Sequence, residues 1–275
     1  MRKILLSAAA FMLLLSACKK DDATPAEEWY LSKFTSVEAG RTDTITTTVK
    51  LTNNTISELT EGGMDAGTPW YFTTQTVFEG NKLTQVKESS DVDPTPRVIN
   101  SLEYTGDKIA KINYYGSNQG QDWGITGYHE MVYNAQGKVT EIRTKGVPAN
   151  EYATLYKITW EGENVKSLTV FNVVGTDTSQ ANTEKYSYDD KPGIHRALFG
   201  SGFIWNGAPT SVENLSANNL LKKEIYYNET LYTRITYERT YNERNQVKEQ
   251  KMKIESLQEP TSTQNKIITY TYTKK

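Results

Sequence analysis

The chain has 275 residues, a net charge of -2, 11% aromatic residues including 18 tyrosines, and a single cysteine. That length suits one large domain or two small ones, and the near-neutral balance argues against nucleic acid as a partner. One cysteine excludes an internal disulfide, and the only histidines, His129 and His195, lack a second histidine at ligand spacing, so no metal or cofactor is expected.

Residues 1–17 begin with Arg2 and Lys3, run apolar from Ile4 to Leu15, and end on the small residues Ser16 and Ala17. A basic start, a short apolar core and a small-residue exit predict a secretory signal peptide, too short to span a bilayer as a mature helix. Leu15-Ser16-Ala17-Cys18 resembles the lipobox of bacterial lipoproteins, which implies acylation of Cys18. At about 0.8 kcal/mol per buried CH₂, two or three acyl chains would hold the protein on a membrane essentially permanently. Cys18 then serves as an anchor and not as a catalyst.

Lys20, Asp21 and Asp22 follow, and with Lys19 they resemble the short signal that sends Bacteroidota lipoproteins to the outer face of the outer membrane. That resemblance implies display on the cell surface, a periplasm-facing position being the alternative. Residues 18–28, with Pro25, read as a lipidated cysteine and flexible polar tether, and residues 29–275 as one domain. Asp43-Thr44-Ile45 resembles the O-glycosylation signal of Bacteroidota secreted proteins, making Thr44 a candidate acceptor.

From there on, short runs rich in Thr, Tyr, Ile and Val alternate polar with apolar residues between Gly, Asn and Asp punctuation, which predicts an all-β domain. One unit recurs. Phe78-Glu-Gly80-Asn-Lys82-Leu83-Thr-Gln-Val86 matches Tyr104-Thr-Gly106-Asp-Lys108-Ile109-Ala-Lys-Ile112, and both match segments beginning at Tyr133 and Trp160. Apolar or aromatic leaders stand at 51, 78, 104, 133, 160, 188, 241 and 270. The period is near 27, and the one double-length gap, between 188 and 241, suggests a degenerate unit near 215.

Each unit reads as a hairpin in which a strand ends on an aromatic, a tight turn follows, and a strand returns. Lys or Asn beside the turn would keep the corner solvated. The returning strand carries apolar residues three apart, as in Val139 and Ile142. Strict alternation would place these on opposite faces, so a bulge beside the turn is expected, or burial of the first residue against the hairpin end. About 14 to 16 strands result, as a large antiparallel up-and-down meander closed into a barrel, since an open sheet of that length exposes both edges.

The unit resembles the tyrosine-rich hairpins of the RHS/YD class. The layout of nearly the whole mature chain, with Tyr188-Asp189-Asp190-Lys191-Pro192, resembles a family of Bacteroidota lipoproteins with a porin-like barrel fold. That resemblance implies a fold and brings no activity with it. Charged strands such as Lys248-Glu249-Gln250-Lys251, and an end without a terminal aromatic, predict a soluble barrel in place of a membrane-spanning one.

Longer polar connections are expected at about 88 to 97, 116 to 124, 144 to 151, 174 to 182 and 256 to 265, all at one end of the meander. There Tyr114, Tyr115, Trp123 and Tyr128, with Asn118, Gln119 and Asp122, mix flat apolar faces with hydrogen-bonding groups. That mixture suits a sugar-binding loop and equally an ordered barrel rim. Residues 191–210 break the pattern. A short helix at Ile194–Phe199 is expected in place of a tight turn, and Phe199, Phe203 and Trp205 form either an apolar plug or a lid over a ligand cavity.

Asp91 with Asp93, and Asp189 with Asp190, could serve calcium, although turns attract Asp for backbone reasons. No nucleophile elbow, phosphate loop or dinucleotide fingerprint occurs. The sequence therefore favours a non-enzymatic surface lipoprotein that binds or presents a glycan or a small apolar ligand. A polysaccharide hydrolase, or a structural subunit of an outer-membrane complex, is the alternative.

Overall fold

In a computed structural model of the protein, residues 28–52, 55–117, 122–147, 152–194, 211–258 and 260–274 are described. The expected signal peptide at residues 1–17, Cys18, the Lys20-Asp21-Asp22 segment, Asn118, Gln119, His195, Phe199, Phe203 and Trp205 lie outside them. Sixteen strands follow one another in an antiparallel meander, and β1 (Trp29–Glu38) closes the ring on β16 (Ser262–Lys274). Between them run β2 (Thr44–Thr52), β3 (Thr55–Asp65), β4 (Thr68–Glu79), β5 (Lys82–Ser90), β6 (Arg97–Thr105), β7 (Lys108–Gly116) and β8 (Gly124–Tyr133). The ring continues through β9 (Val139–Gly146), β10 (Tyr152–Glu161), β11 (Asn164–Val174), β12 (Asp177–Pro192), β13 (Asn218–Tyr227), β14 (Thr230–Tyr241) and β15 (Val247–Ser256).

The spacing of three is resolved by a bulge, repeated around the wall. Tyr104 pairs with Ile109 and Glu103 with Lys111, so Ala110 has no partner across the hairpin and Ile112 returns to the face of Ile109. The same step leaves out Ser57, Thr84, Thr140, Lys166, Leu221 and Lys248 beside the leaders Leu51, Phe78, Tyr133, Trp160, Tyr188 and Tyr241. Both members of each apolar pair can then be buried, as Leu83 with Val86, Val139 with Ile142, and Val165 with Leu168 are. Where the skipped residue carries a hydroxyl, it stitches the bulge shut. Ser57, Thr84 and Thr140 donate to the carbonyls of Lys50, Val77 and Val132, each the residue before a leader.

The chain ends reproduce this device without a turn. Leu31 pairs with Tyr272 and Lys33 with Thr271, Ser32 is skipped, and its Oγ donates to the Thr271 carbonyl at 3.2 Å. The barrel is thus a ring of eight equivalent hairpin units, one cut open at its turn. Tyr272, and not Tyr270, holds the last leader position, because the count must follow the bulge and not the nearest multiple of the period.

The long gap between Tyr188 and Tyr241 is corrected likewise. Tyr188 pairs directly with Leu220, so β12 and β13 form one ordinary unit, and residues 193–217 are an insertion where other units have a tight turn. Among the described residues no further strand pair stands near 215. Ile194 has helical backbone, and Val212–Leu215 forms a single 3-10 turn.

Units also clamp one another. Tyr104 Oη donates to the Leu83 carbonyl at 2.9 Å, Tyr133 Oη to Ile109 at 2.7 Å, and Trp160 Nε1 to Val139 at 2.8 Å. Each leader thereby satisfies the carbonyl freed by the preceding unit's bulge. Phe78 has no donor, and Thr76 Oγ1, two residues earlier, takes the Ile56 carbonyl instead. The lysine beside the turn was expected to face solvent, but it reaches the next unit. Lys82, Lys108 and Lys138 sit 5.2–5.3 Å over the rings of Tyr104, Tyr133 and Trp160. Lys82 and Lys138 also donate to the turn carbonyls of Gly106 and Gly162. Those turns need positive φ, which Gly106 supplies at 60° and, in the β14–β15 turn, Asn245 at 57°.

Candidate functional site

Register and burial together separate the two faces of the wall. One face carries Val49, Leu59, Val86, Leu102, Ile112, Ile142, Ile158 and Leu168, all buried, and in a closed wall that face is the inner one. The other carries Lys111, Glu130, Arg143, Lys145, Lys157, Lys185, Lys251 and Lys253, several of them in cross-strand ion pairs with carboxylates. Charges outward and apolar groups inward invert the pattern of a barrel that faces lipid.

The two ends differ. At the leader turns the inner face is well covered, with Val139, Val165 and Val247 buried and the described ends of the insertion packed against it. Ile194 packs on Leu31, Val247 and Tyr270 at one side of the ring, while Leu215 packs on the cluster of β5–β11. Ser216 Oγ accepts the Val165 N–H at 3.0 Å, and Ala217 N–H donates to Glu163. Inward residues at the opposite end stay open, Phe72 at 45% exposure and Glu61, Asn172 and Gln264 exposed with it. Among the described residues the barrel is thus more open at the mouth than at the floor, and β1 starts on the floor side.

Between floor and mouth the inner wall from β7 to β13 carries several polar side chains. Tyr114 and His129 pack edge to face with ring centroids 4.2 Å apart, and Gly127 stands opposite Tyr114, where a Cβ would meet the Lys145 carbonyl oxygen at 2.9 Å. His129 Nδ1 shares a 2.6 Å hydrogen bond with Thr144 Oγ1. Burial lowers the imidazole pKa from its usual value to about 3, keeping His129 neutral. The Tyr156 hydroxyl lies within reach of Thr144 and Thr154, and burial raises its pKa. Beyond it, Glu184 accepts from Lys223 Nζ at 2.6 Å and from Tyr186 Oη at 2.5 Å, a buried ion pair. Tyr114 Oη, His129 Nε2 and Asn182 Oδ1 are buried on this arc without a protein partner.

Few of these residues stand out in the sequence. Of the expected aromatic loop, only Tyr114 faces inward. Tyr115 bonds Ser101 Oγ on the outer face, and Tyr128 lies there under Lys111, 4.2 Å away. Trp123 is a rim residue, donating to the Val98 carbonyl at 2.9 Å beneath Arg97. These four therefore do not form one surface. Asp122 is exposed beside Trp123. The mouth carries longer connections at 39–43, 91–96, 117–123, 147–151 and 257–261, but the one expected at 174–182 is strand around a tight turn at Gly175.

Neither aspartate pair gathers around one point. Asp189 accepts from the N–H groups of Lys191 and Asn219 and from Tyr241 Oη, while Asp190 is exposed near Lys191. Burial, and then the Asp189 contact, raises the Tyr241 pKa to about 12. Asp93 organises its own turn through Thr95 and Arg97. Among the described residues no group of three or more His, Cys, Asp and Glu could hold a metal ion. Thr44 opens β2 and is exposed.

Fold and site together define a closed, sixteen-stranded antiparallel barrel of porin-like fold whose inner face joins an apolar cluster to a set of polar side chains. No family model matches the chain, and no curated protein matches it. Among solved structures it is similar to a porin-like protein from Bacteroides uniformis, with a TM-score of 0.56 and 13% identity over 88% of this chain and 98% of that one. A second porin-like protein, from Bacteroides vulgatus, matches at a TM-score of 0.40 and 9% identity, covering 90% of this chain and 99% of that one. At such identities the likeness speaks to fold.

Proposed function

We propose that the protein is a non-enzymatic binding module, anchored by acylated Cys18 to the outer membrane, displayed outward through Lys20, Asp21 and Asp22, and receiving a glycan in its barrel. The observation that carries this reading is the barrel interior, more open at the mouth than at the floor and carrying several hydrogen-bonding groups. The chain enters the barrel at the floor, so a tether from Cys18 would hold the floor toward the membrane and turn the mouth away from it. Charged residues on the outer wall favour a lipid tether over insertion of the barrel as the membrane attachment. A fold shared with porin-like proteins is consistent with an outer-membrane location.

Between the glycan and a small apolar ligand, the inner wall favours the glycan, because orphan polar atoms would be buried at a cost against an apolar guest. The hydrolase reading gains no support from Glu184, whose carboxylate is already engaged by Lys223 and Tyr186. The mature chain in detergent is expected to give selective signals on a glycan array, and Cys18→Ser to abolish incorporation of labelled palmitate. A blank array would discard the glycan, and palmitate retained by Cys18→Ser would discard the anchor.

A further inference from the structure

We infer that the inner-wall arc from Tyr114 to Lys223 is the ligand site, and that it takes an uncharged, polyhydroxylated ligand. This rests on the proposed glycan-binding role and assigns its place and chemistry. Three side chains from three strands, Tyr114 on β7, His129 on β8 and Asn182 on β12, each bury a polar atom that has no protein partner. His129 is 5% exposed. Buried polar groups left unmatched are costly, and all three stand on the inner face of the wall, where an incoming ligand could supply a partner.

The chemistry of the wall selects the ligand class. Tyr114 Oη both donates and accepts, Asn182 Oδ1 accepts, and the His129 Nε2 role is set by the proton shared between Nδ1 and Thr144. Such a mixture answers hydroxyl groups, which also donate and accept. The charges present cancel, because Lys223 and Glu184 hold each other at 2.6 Å, so the arc offers no net field to a phosphate or a carboxylate. Tyr114, Tyr156 and Tyr186 add flat apolar surface suited to the C–H face of a sugar ring. Access is from the mouth, where Phe72 and Trp70 also face inward, their rings 5.8 Å apart.

The test uses the full-length protein in detergent and free glucose, galactose, mannose and N-acetylglucosamine as probes. Only two histidines exist, so the ring resonances of His129 are assigned by comparison with His195→Gln. At least one sugar should shift the His129 signals saturably by about 10 mM, a range that a few hydrogen bonds reach. At least one of Tyr114→Phe and Asn182→Ala, each confirmed as folded by an unchanged circular dichroism spectrum, should weaken binding about tenfold. Binding that leaves His129 unmoved and survives both substitutions overturns this site while leaving the binding role standing. Absence of binding by all four sugars, together with a blank glycan array, overturns both.

Discussion

Along the returning strands β5, β7, β9 and β11, the residue three places after the bulge partner is Val86, Ile112, Ile142 and Leu168; along β13 and β15 it is Lys223 and Gln250. The backbone device is identical in both arcs, and only the cargo it turns inward differs. In the first arc these side chains fuse into one continuous apolar cluster, with Ile142 and Leu168 wholly buried. In the second, Lys223 needs Glu184, and Gln250 lies opposite Arg239, whose guanidinium donates to the Leu220 carbonyl and whose pKa is lowered by burial. Wall and lining are therefore separable: hydrogen-bonded bulges build the wall, and the inward positions are free to be apolar or chemical.

The sharpest way to break that comparison is Lys223→Met. It leaves the Glu184 carboxylate buried without its cation, and losses of about 3–5 kcal/mol are typical of such a step. Urea unfolding should show a midpoint far below the parent's. The double change Lys223→Met with Glu184→Leu should recover most of the loss, because an apolar pair of similar size suits an interior as well as an ion pair does. Failure of the double variant to recover would mean that the second arc depends on its charges for structure.

A second contrast sets Leu168→Ala against Gln250→Leu. The first removes a fully buried side chain from the regular arc, at a cost of about 2–5 kcal/mol. The second restores the apolar pattern in the irregular arc and replaces an amide whose Oε1 has no partner, so stability should hold or rise. Equal losses in the two variants, read as unfolding midpoints, would contradict the separability of wall and lining.

The wall was largely legible in the sequence and the lining was not. Leaders, turns and the apolar spacing of three are local signals, and they implied the meander, the bulge and closure. Which residues face inward depends on cumulative register, and each bulge flips the parity by one. Tyr114 and Tyr115 are neighbours in sequence, yet they face opposite sides, and Tyr128 follows Tyr115 outward. His129, Asn182 and Glu184 carry no motif, and they share the inner face only through the cumulative register of β8 to β12. The insertion misled for a related reason, since about 25 added residues between β12 and β13 nearly equal one period.

The smallest expected effect separates the clamp from the aromatic ring that carries it. Tyr133→Phe keeps the ring under Lys108 but removes the hydroxyl that donates to Ile109, for a loss of roughly 1 kcal/mol. Burial, with Tyr104 nearby, also raises the Tyr133 pKa to about 12, so the neutral hydroxyl stabilises the fold fully below pH 10 and loses that effect as pH climbs toward 12. The Phe variant should therefore lack part of the parent's alkaline loss. Phe78→Tyr is the reverse substitution at an equivalent leader, and a count of hydrogen bonds alone would predict a matching gain. The carbonyl it would seek, on Ile56, is already bonded to Thr76 Oγ1, so its unfolding midpoint should stay within the range of a neutral surface change. Asymmetry between the two variants would show that what the ring of units requires is a donor for each bulge carbonyl, whichever residue of the leader strand supplies it.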